Sequence, residues 1–479
     1  MILCNYLRTR LQTTKNTKTR RHEEKIKQAL RIFAPSSLRG LRSWQKSDGN
    51  LSSCDFVMND LRLTVEEQAL LAGAEGPGVQ RAMEIVVTLG RIYGAPDLVP
   101  VKHVQIAGVS YKNLGDAGVA FLNEWAEEGA RARVPATLNP AGMELGRWQE
   151  MGFDPTFAQP QMAAVQAFVK MGAAPTMSCT PYLFAQYMPQ RGDHLAWAES
   201  NAVAWANSVV GAFTNREGGP SALAAAIVGR TARYGYHLPE NRGATHIVEV
   251  RCPVRSMADF GALSYMVGKR VGDGAPWFAD LARWLPPLPD DLTQGGAAGD
   301  RLKTLGAGLA AYGAVALYHV ADYTPEAREQ GEALIRPDAQ RLVIDSLAEG
   351  YGVMDANPEV TEIDLVTLGC PHASISELQR IADYLAGRTL ATRLWITTSQ
   401  ITRARAREMG LVAVIEAAGG EVVADTCAVV APVRSLGVRT MATNAGKMAN
   451  YAPMHSGVKM RYGSMEQCLD AAISGRWGG

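Results

Sequence analysis

Between Ile363 and Val430, strand-length segments alternate with helical periods so regularly that the local fold is strongly constrained. Ile363 to Leu368 reads as a buried strand ending at Gly369-Cys370-Pro371-His372. Ser374 and Glu377 have capping-box spacing and open a helix expected to run through Leu385 and stop at Gly387. Arg393 to Thr397 is the next strand, followed by a helix through Met409. A short helix, Val412 to Ala418, ends at Gly419-Gly420, and Val422 to Ala424 is a third strand running into Asp425-Thr426-Cys427. This βαβαβ order predicts a parallel sheet, since parallel neighbours need a crossover connection. Ligands bind beyond the carboxyl ends of strands in open parallel sheets. Cys370 and Cys427, 57 positions apart, are therefore expected to share one crevice.

The rest of the chain follows the same alternation and predicts an α/β architecture. Thr64-Val65-Glu66-Glu67 has the form of a capping box, and Ala82 to Tyr93 carries apolar residues at helical spacing. Val101 to Val109 reads as a strand ending in a Gly-Val-Ser-Tyr-Lys-Asn loop, and Asp116 to Ala130 as a helix. Val134 to Leu138 is a short strand that ends at Asn139-Pro140. Pro286-Pro287-Leu288-Pro289 and Gly295-Gly296 mark a junction between two sub-lobes, about 58–290 and 300–479.

Charge separates one segment from the remainder. The net charge of +1 gives no footprint for a nucleic-acid partner. Yet residues 1–50 hold 12 Lys/Arg against only Glu23, Glu24 and Asp48. Residues 1–57 also lack periodicity, so they are expected to form a disordered basic extension ahead of a module beginning at Met58. The longest uncharged apolar stretch, Thr304 to Val320, is rich in Gly and Ala and short for a bilayer span. It reads as a buried small-residue element, and no membrane partner is expected. The N-terminus turns basic at once and has no signal-peptide apolar core, which predicts a cytoplasmic protein.

Seven thinly spread cysteines do not make a secreted disulfide framework. Three of them share a context, following an apolar strand-like segment and sitting beside Pro or Thr. They are Cys179 in Met177-Ser178-Cys179-Thr180-Pro181, Cys370 in Gly369-Cys370-Pro371, and Cys427 in Asp425-Thr426-Cys427. Three thiolates from separate loops can hold an iron–sulfur cluster and leave one iron open as a Lewis acid toward a substrate hydroxyl. From spacing alone, inert buried cysteine is the favoured reading. Cys252 follows another strand and is a reserve ligand, while Cys468 lies on a helix and reads as core. Trp197 and Trp205, eight positions apart, read as packing on one helix.

Several motifs in register carry a resemblance. They are Gly108-Val109-Ser110-Tyr111-Lys112-Asn113-Leu114-Gly115-Asp116-Ala117-Gly118, Cys179-Thr180-Pro181-Tyr182, Gly369-Cys370-Pro371-His372, Asp425-Thr426-Cys427 and Thr443-Asn444-Ala445-Gly446-Lys447. Over about residues 60–479 the chain resembles the catalytic large subunit of the aconitase X family. The resemblance implies an aconitase-like module of α/β/α lobes with parallel βαβ units, lacking the swivelling small domain. It implies a cluster, [4Fe-4S] or of lower nuclearity, on Cys179, Cys370 and Cys427. It also implies substrate contacts at Gly108, Val109, Ser110, Asn139, Pro140, Glu199, Ser200 and Lys447.

The residues agree with that set. Backbone amides of a Gly-Val-Ser turn bind carboxylate or phosphate, and Lys447 adds a cation. Glu199 accepts a proton or pairs with a cationic substrate group. His372 either protonates the leaving hydroxyl or supports the cluster from behind its ligands. The expected activity is loss of water from a small hydroxy acid, foremost cis-3-hydroxy-L-proline to pyrroline-2-carboxylate, with phosphomevalonate as the alternative substrate. The expected partner is a small subunit bearing the swivelling domain. A non-catalytic iron–sulfur protein is the competing reading, although a carrier has no need of Ser110, Asn139, Glu199 and Lys447.

Overall fold

Three parallel sheets, each from its own stretch of chain, organise the described residues. The computed structural model describes residues 61–478. The extension 1–57, its Met58 boundary, Cys4 and Cys54 lie outside the described residues.

The first stretch carries β1 (Leu98–Pro100), β2 (Val104–Ile106), β3 (Ala136–Leu138), β4 (Ala196–Trp197) and β5 (Arg230–Ala232). β3, β2 and β4 form a parallel sheet in that order, while β1 and β5 pair antiparallel beside it. The strand expected over Val101 to Val109 is confined to three residues. The amides of Val101 and Lys102 bond instead to Gly229 O and His194 O in neighbouring loops. The following helix begins at Tyr111, earlier than expected, and kinks at Gly115. Trp197 lies on β4 and not on a helix with Trp205, though both indoles are buried as packing.

The second sheet has the order β8-β7-β6-β9, from β6 (Ala244–Val250), β7 (Pro276–Phe278), β8 (His319–Val320) and β9 (Ile335–Ile344). The proline and glycine segment at 286–296 is thus a connection from β7 to β8 inside one sheet. Its turn formers lead into the helix Gly296–Gly313. That helix holds much of the small-residue run and packs closely on the helix Met257–Val271. A Cβ on Gly313 would overlap the Gly268 carbonyl, so small residues here set the helix separation. Among the described residues no helix is long and apolar enough to cross a membrane.

The third sheet has the order β12-β11-β10-β13-β14, all parallel. It comprises β10 (Leu365–Leu368), β11 (Arg393–Thr398), β12 (Glu421–Ala424), β13 (Thr440–Thr443) and β14 (Lys459–Tyr462). The expected βαβαβ unit is present, with helices Ile375–Leu385, Gln400–Glu408 and Leu411–Ala417. The capping boxes at Thr64/Glu67 and Ser374/Glu377 both form, each exchanging side-chain bonds for exposed first-turn amides. Cys468 is buried in this sheet's core on the helix Met465–Ser474. The chain runs outward in opposite directions from β10 and β13, so the switch point of the sheet lies between their carboxyl ends.

Candidate active site

The carboxyl ends of the first and third sheets face one another. Their loops are joined by Ala141 N to Asp425 O at 2.8 Å and by Ser110 Oγ to Val430 O at 3.0 Å. A buried pair, Arg403 Nη1 to Glu144 Oε1 at 2.6 Å, locks the junction, and Glu144 Oε2 accepts from Ala424 N at 3.1 Å. Of the residues singled out from the sequence, Ser110 bonds across this junction, and Lys447 from the third sheet reaches Glu199 and Ser200 from the first.

Each of the three cysteines follows a left-handed residue. Met177 (φ 43°) precedes Cys179, Gly369 (φ 86°) precedes Cys370, and Asp425 (φ 65°) precedes Cys427. Non-glycine residues rarely adopt such backbone, and its concentration at three loops is typical of sites that aim side chains. Cys179 and Cys427 are buried and Cys370 is half-buried; among the described residues none of them is in a disulfide. Burial pushes all three thiols above their ordinary range, Cys179 to about 12, and the fields of the other cysteines add to the upward shift of Cys179 and Cys370. Lys447 opposes that rise at all three. Cys252 packs against the core of the second sheet, and Cys468 stays inside the third.

His372 ties the cysteine loops together. Its backbone N–H donates to Cys179 Sγ at 3.2 Å. Its Nε2 lies 3.2 Å from Thr426 O beside Cys427, which fixes the proton on Nε2 because a carbonyl only accepts. Nδ1 then accepts from Ser178 Oγ at 3.3 Å. The ring is fully buried, and burial pushes its pKa down to about 4, so it is neutral. With both nitrogens occupied, His372 is arranged to hold loops together.

The opposite wall is polar. The amides of Gly108, Val109 and Ser110 have no acceptor among the described residues, and Gly108 has φ 80°. Gln161 braces this turn, donating to Val109 O at 3.0 Å and accepting from Tyr111 N at 2.9 Å. Ser110 begins the helix Tyr111–Glu127, so the free amides lie at its positive end. Lys112, half-buried in the first turn, donates to Ala431 O at 3.3 Å and Ser456 Oγ at 2.9 Å.

Glu199 is buried and ion-paired with Lys447. Burial would raise its carboxyl, but Lys447 and the Asn139 bond (2.8 Å) outweigh it and hold the group at about 2. Lys447 lies in the first turn of the helix Gly446–Ser456, not in a loop, and reaches Ser200 Oγ at 3.4 Å. Burial lowers its pKa, yet the Glu199 field wins and the net shift is upward. Asn139 and Pro140 are both buried beside this pair.

Sequence reasoning missed two residues that hold this wall. Gln105 Nε2 donates to Asn139 Oδ1 at 3.1 Å while its Oε1 accepts from Glu199 N at 2.9 Å. Asn201 Nδ2 donates to Glu199 Oε1 at 3.1 Å and to Cys179 O at 3.0 Å. The available signal was Gln105 itself, a polar residue at the centre of the buried strand Val104-Gln105-Ile106.

Among the described residues no three His, Cys, Asp or Glu side chains converge as they would on one metal ion. Cysteines on a cluster each hold a different iron and need not converge on one point. Three thiols on separate loops, one already accepting a backbone N–H, form a donor set that fits such a group.

Residues 60–240, 244–349 and 363–474 match the aconitase X first, second and third domains, and each stretch contains one of the three parallel sheets. The chain is 43% identical to the phosphomevalonate dehydratase large subunit of Methanocaldococcus jannaschii, over 85% of this chain and 99% of that protein. The chain belongs to the aconitase X family. It is 35% identical to the cis-3-hydroxy-L-proline dehydratase of Pseudomonas aeruginosa, over 87% of this chain and 70% of that one. The crystal structure of Thermococcus kodakaraensis aconitase X (holo-form) superposes with a TM-score of 0.77 at 42% identity, covering 86% of this chain and all of that one. This aconitase X chain is accordingly an enzyme of the hydro-lyase class.

Proposed function

We propose that this chain is the large subunit of a phosphomevalonate dehydratase, with an iron–sulfur cluster on Cys179, Cys370 and Cys427. The pattern of coverage carries the reading. The chain spans a large-subunit relative almost end to end at 43% identity, but only 70% of a hydroxyproline dehydratase at 35%. The expectation of hydroxyproline as the foremost substrate gives way to this pattern.

The site chemistry supports the change. Glu199 was the anion expected to meet a prolinium, and it is already engaged by Lys447. The turn at Gly108, Val109 and Ser110 offers three free amides at a helix N-terminus, suited to a phosphate or carboxylate. When bound, the cluster supplies Lewis-acid assistance to departure of the hydroxyl as water. The chain's own residues bind and orient the substrate. The amide turn holds an anionic group, Lys447, Asn139 and Gln105 fix Glu199, and His372 with its partners holds the cysteine loops.

Glu199 held near 2 is a weak base, and neutral His372 has no free ring nitrogen. The base that removes the carbon-bound proton is therefore assigned to a small partner subunit, in keeping with the large-subunit naming of the relative. The chain alone is expected to turn over about 10²–10⁴-fold more slowly than with its partner.

The test offers phosphomevalonate and cis-3-hydroxy-L-proline anaerobically to the chain co-purified with its small subunit. A higher kcat/KM for the phosphorylated substrate is expected. A clear preference for the proline would overturn the substrate assignment, and full turnover by the isolated chain would remove the partner from the reading.

A further inference from the structure

Behind the cysteine loops lies a buried charge group that substrate binding does not use. Lys303, on the helix Gly296–Gly313, is 3% exposed, and Asp300 one turn earlier is 1% exposed. The Lys303 ammonium is paired with Glu377 and stands 3.5 Å from Asp300 Oδ1. Both carboxylates are held from elsewhere. Ser376 Oγ donates to Asp300 Oδ2 at 3.0 Å, and Ser374 N donates to Glu377 Oε2 at 3.0 Å.

Beyond these carboxylates Lys303 makes one further hydrogen bond, to His372 O at 3.0 Å. Residue 372 is therefore gripped from both ends. Lys303 holds its carbonyl, while its amide reaches Cys179 Sγ. Lys303 and Glu377 also line one narrow cavity with Cys370, and the Lys303 ammonium and Cys179 interact electrostatically.

Stability alone does not account for this arrangement. Taking an ammonium out of water costs several kcal/mol, and apolar side chains of similar volume often serve a fold equally well. What the ammonium supplies that an apolar side chain cannot is a strong, rigidly held donor behind the cysteine loops.

We propose that Lys303 is a positioning residue for the cysteine-bound cluster: locked by Glu377 and Asp300, it holds the His372 carbonyl and so fixes the backbone whose amide donates to Cys179. The proposal rests on the reading that these cysteines hold a cluster. Groups behind metal ligands typically change metal affinity about 10–100-fold when removed. Cluster potentials also follow nearby charge and hydrogen bonding to sulfur.

Lys303→Met alone strands two buried carboxylates and is expected to fold poorly. The deciding variant is therefore Lys303→Met combined with Glu377→Gln. It leaves Asp300, which burial and Glu377 push up to about 7 in the intact protein, free to take a proton. Both proteins are purified without air, checked for folding by circular dichroism, and compared in iron release to a chelator and in cluster reduction potential. The folded double variant should lose iron about 10–100-fold faster, with a reduction potential that differs from the wild type's because His372 is no longer held. A folded double variant with wild-type iron release and potential overturns the proposal and leaves the cluster reading intact. Wild-type protein without iron overturns that reading, and this proposal falls with it.

Discussion

Gly369→Ala tests whether backbone shape places Cys370. Gly369 has φ 86°, where a residue bearing a Cβ loses roughly 1–2 kcal/mol. An added Cβ would fall inside contact distance of Thr397 O, with Ala373 N and Thr397 N each only 3.1 Å away. These neighbours are backbone atoms at the end of β11 and in the turn itself, so none can rotate aside. Relief requires the loop to move, which strains two bonds. One is Thr397 Oγ1 to Gly369 O at 2.7 Å, and the other is Ala373 N to Thr397 O at 2.8 Å. At about 1 kcal/mol for each lost bond, the total cost is about 3–4 kcal/mol. Urea unfolding gives the stability change, and iron content of protein purified without air reports the displacement of Cys370. Full iron with a stability loss under about 1 kcal/mol would refute the argument.

Cys179→Ser, Cys370→Ser and Cys427→Ser should each strip iron and abolish turnover, whereas Cys468→Ser, inside the third core, should retain iron; elemental analysis decides each case. Glu144→Ala leaves Arg403 buried without its partner and should cost about 3–5 kcal/mol in urea unfolding, because it breaks the junction between two sheets. Glu199 titrates at about 2 in the folded chain against an ordinary 4.5, so its contribution is complete above 4.5 and is lost as pH falls through 2. Wild type should lose on the order of 3 kcal/mol across that window, and a Glu199→Gln acid-unfolding curve lacking this loss would confirm it. Deleting residues 1–57 should leave solubility and activity unchanged, since the family match begins at residue 60; a large loss of either would show that the segment belongs to the fold.

Much of the third sheet was legible because its rules are local. The Ser374/Glu377 box closes across three residues, and β10, β11 and β12 announce themselves by strand-length apolar runs between helical periods. That order also placed Cys370 and Cys427 beyond the carboxyl ends of β10 and β12. Local rules failed where a boundary depends on remote partners. Val101 and Lys102 have strand-like composition, but their amides are taken by loops more than 90 residues away. The 286–296 segment has the composition of a linker, yet whether it joins lobes or strands depends on which sheet receives β8.

The sequence by itself determined the α/β class, the capped helices, the loops that carry the three cysteines, and the family resemblance. Only the tertiary structure decided what those residues are to one another. Glu199 and Lys447 lie 248 positions apart, and nothing near either one predicts that burial will bring them into a single ion pair. His372 and Cys179 meet across 193 positions, and Lys303 reaches His372 across 69. Periodicity and capping act over a few residues along the chain. Pairing of buried charges is set by which carboxyl edges the packed sheets turn toward each other, and a buried charge persists only where that packing supplies its partner.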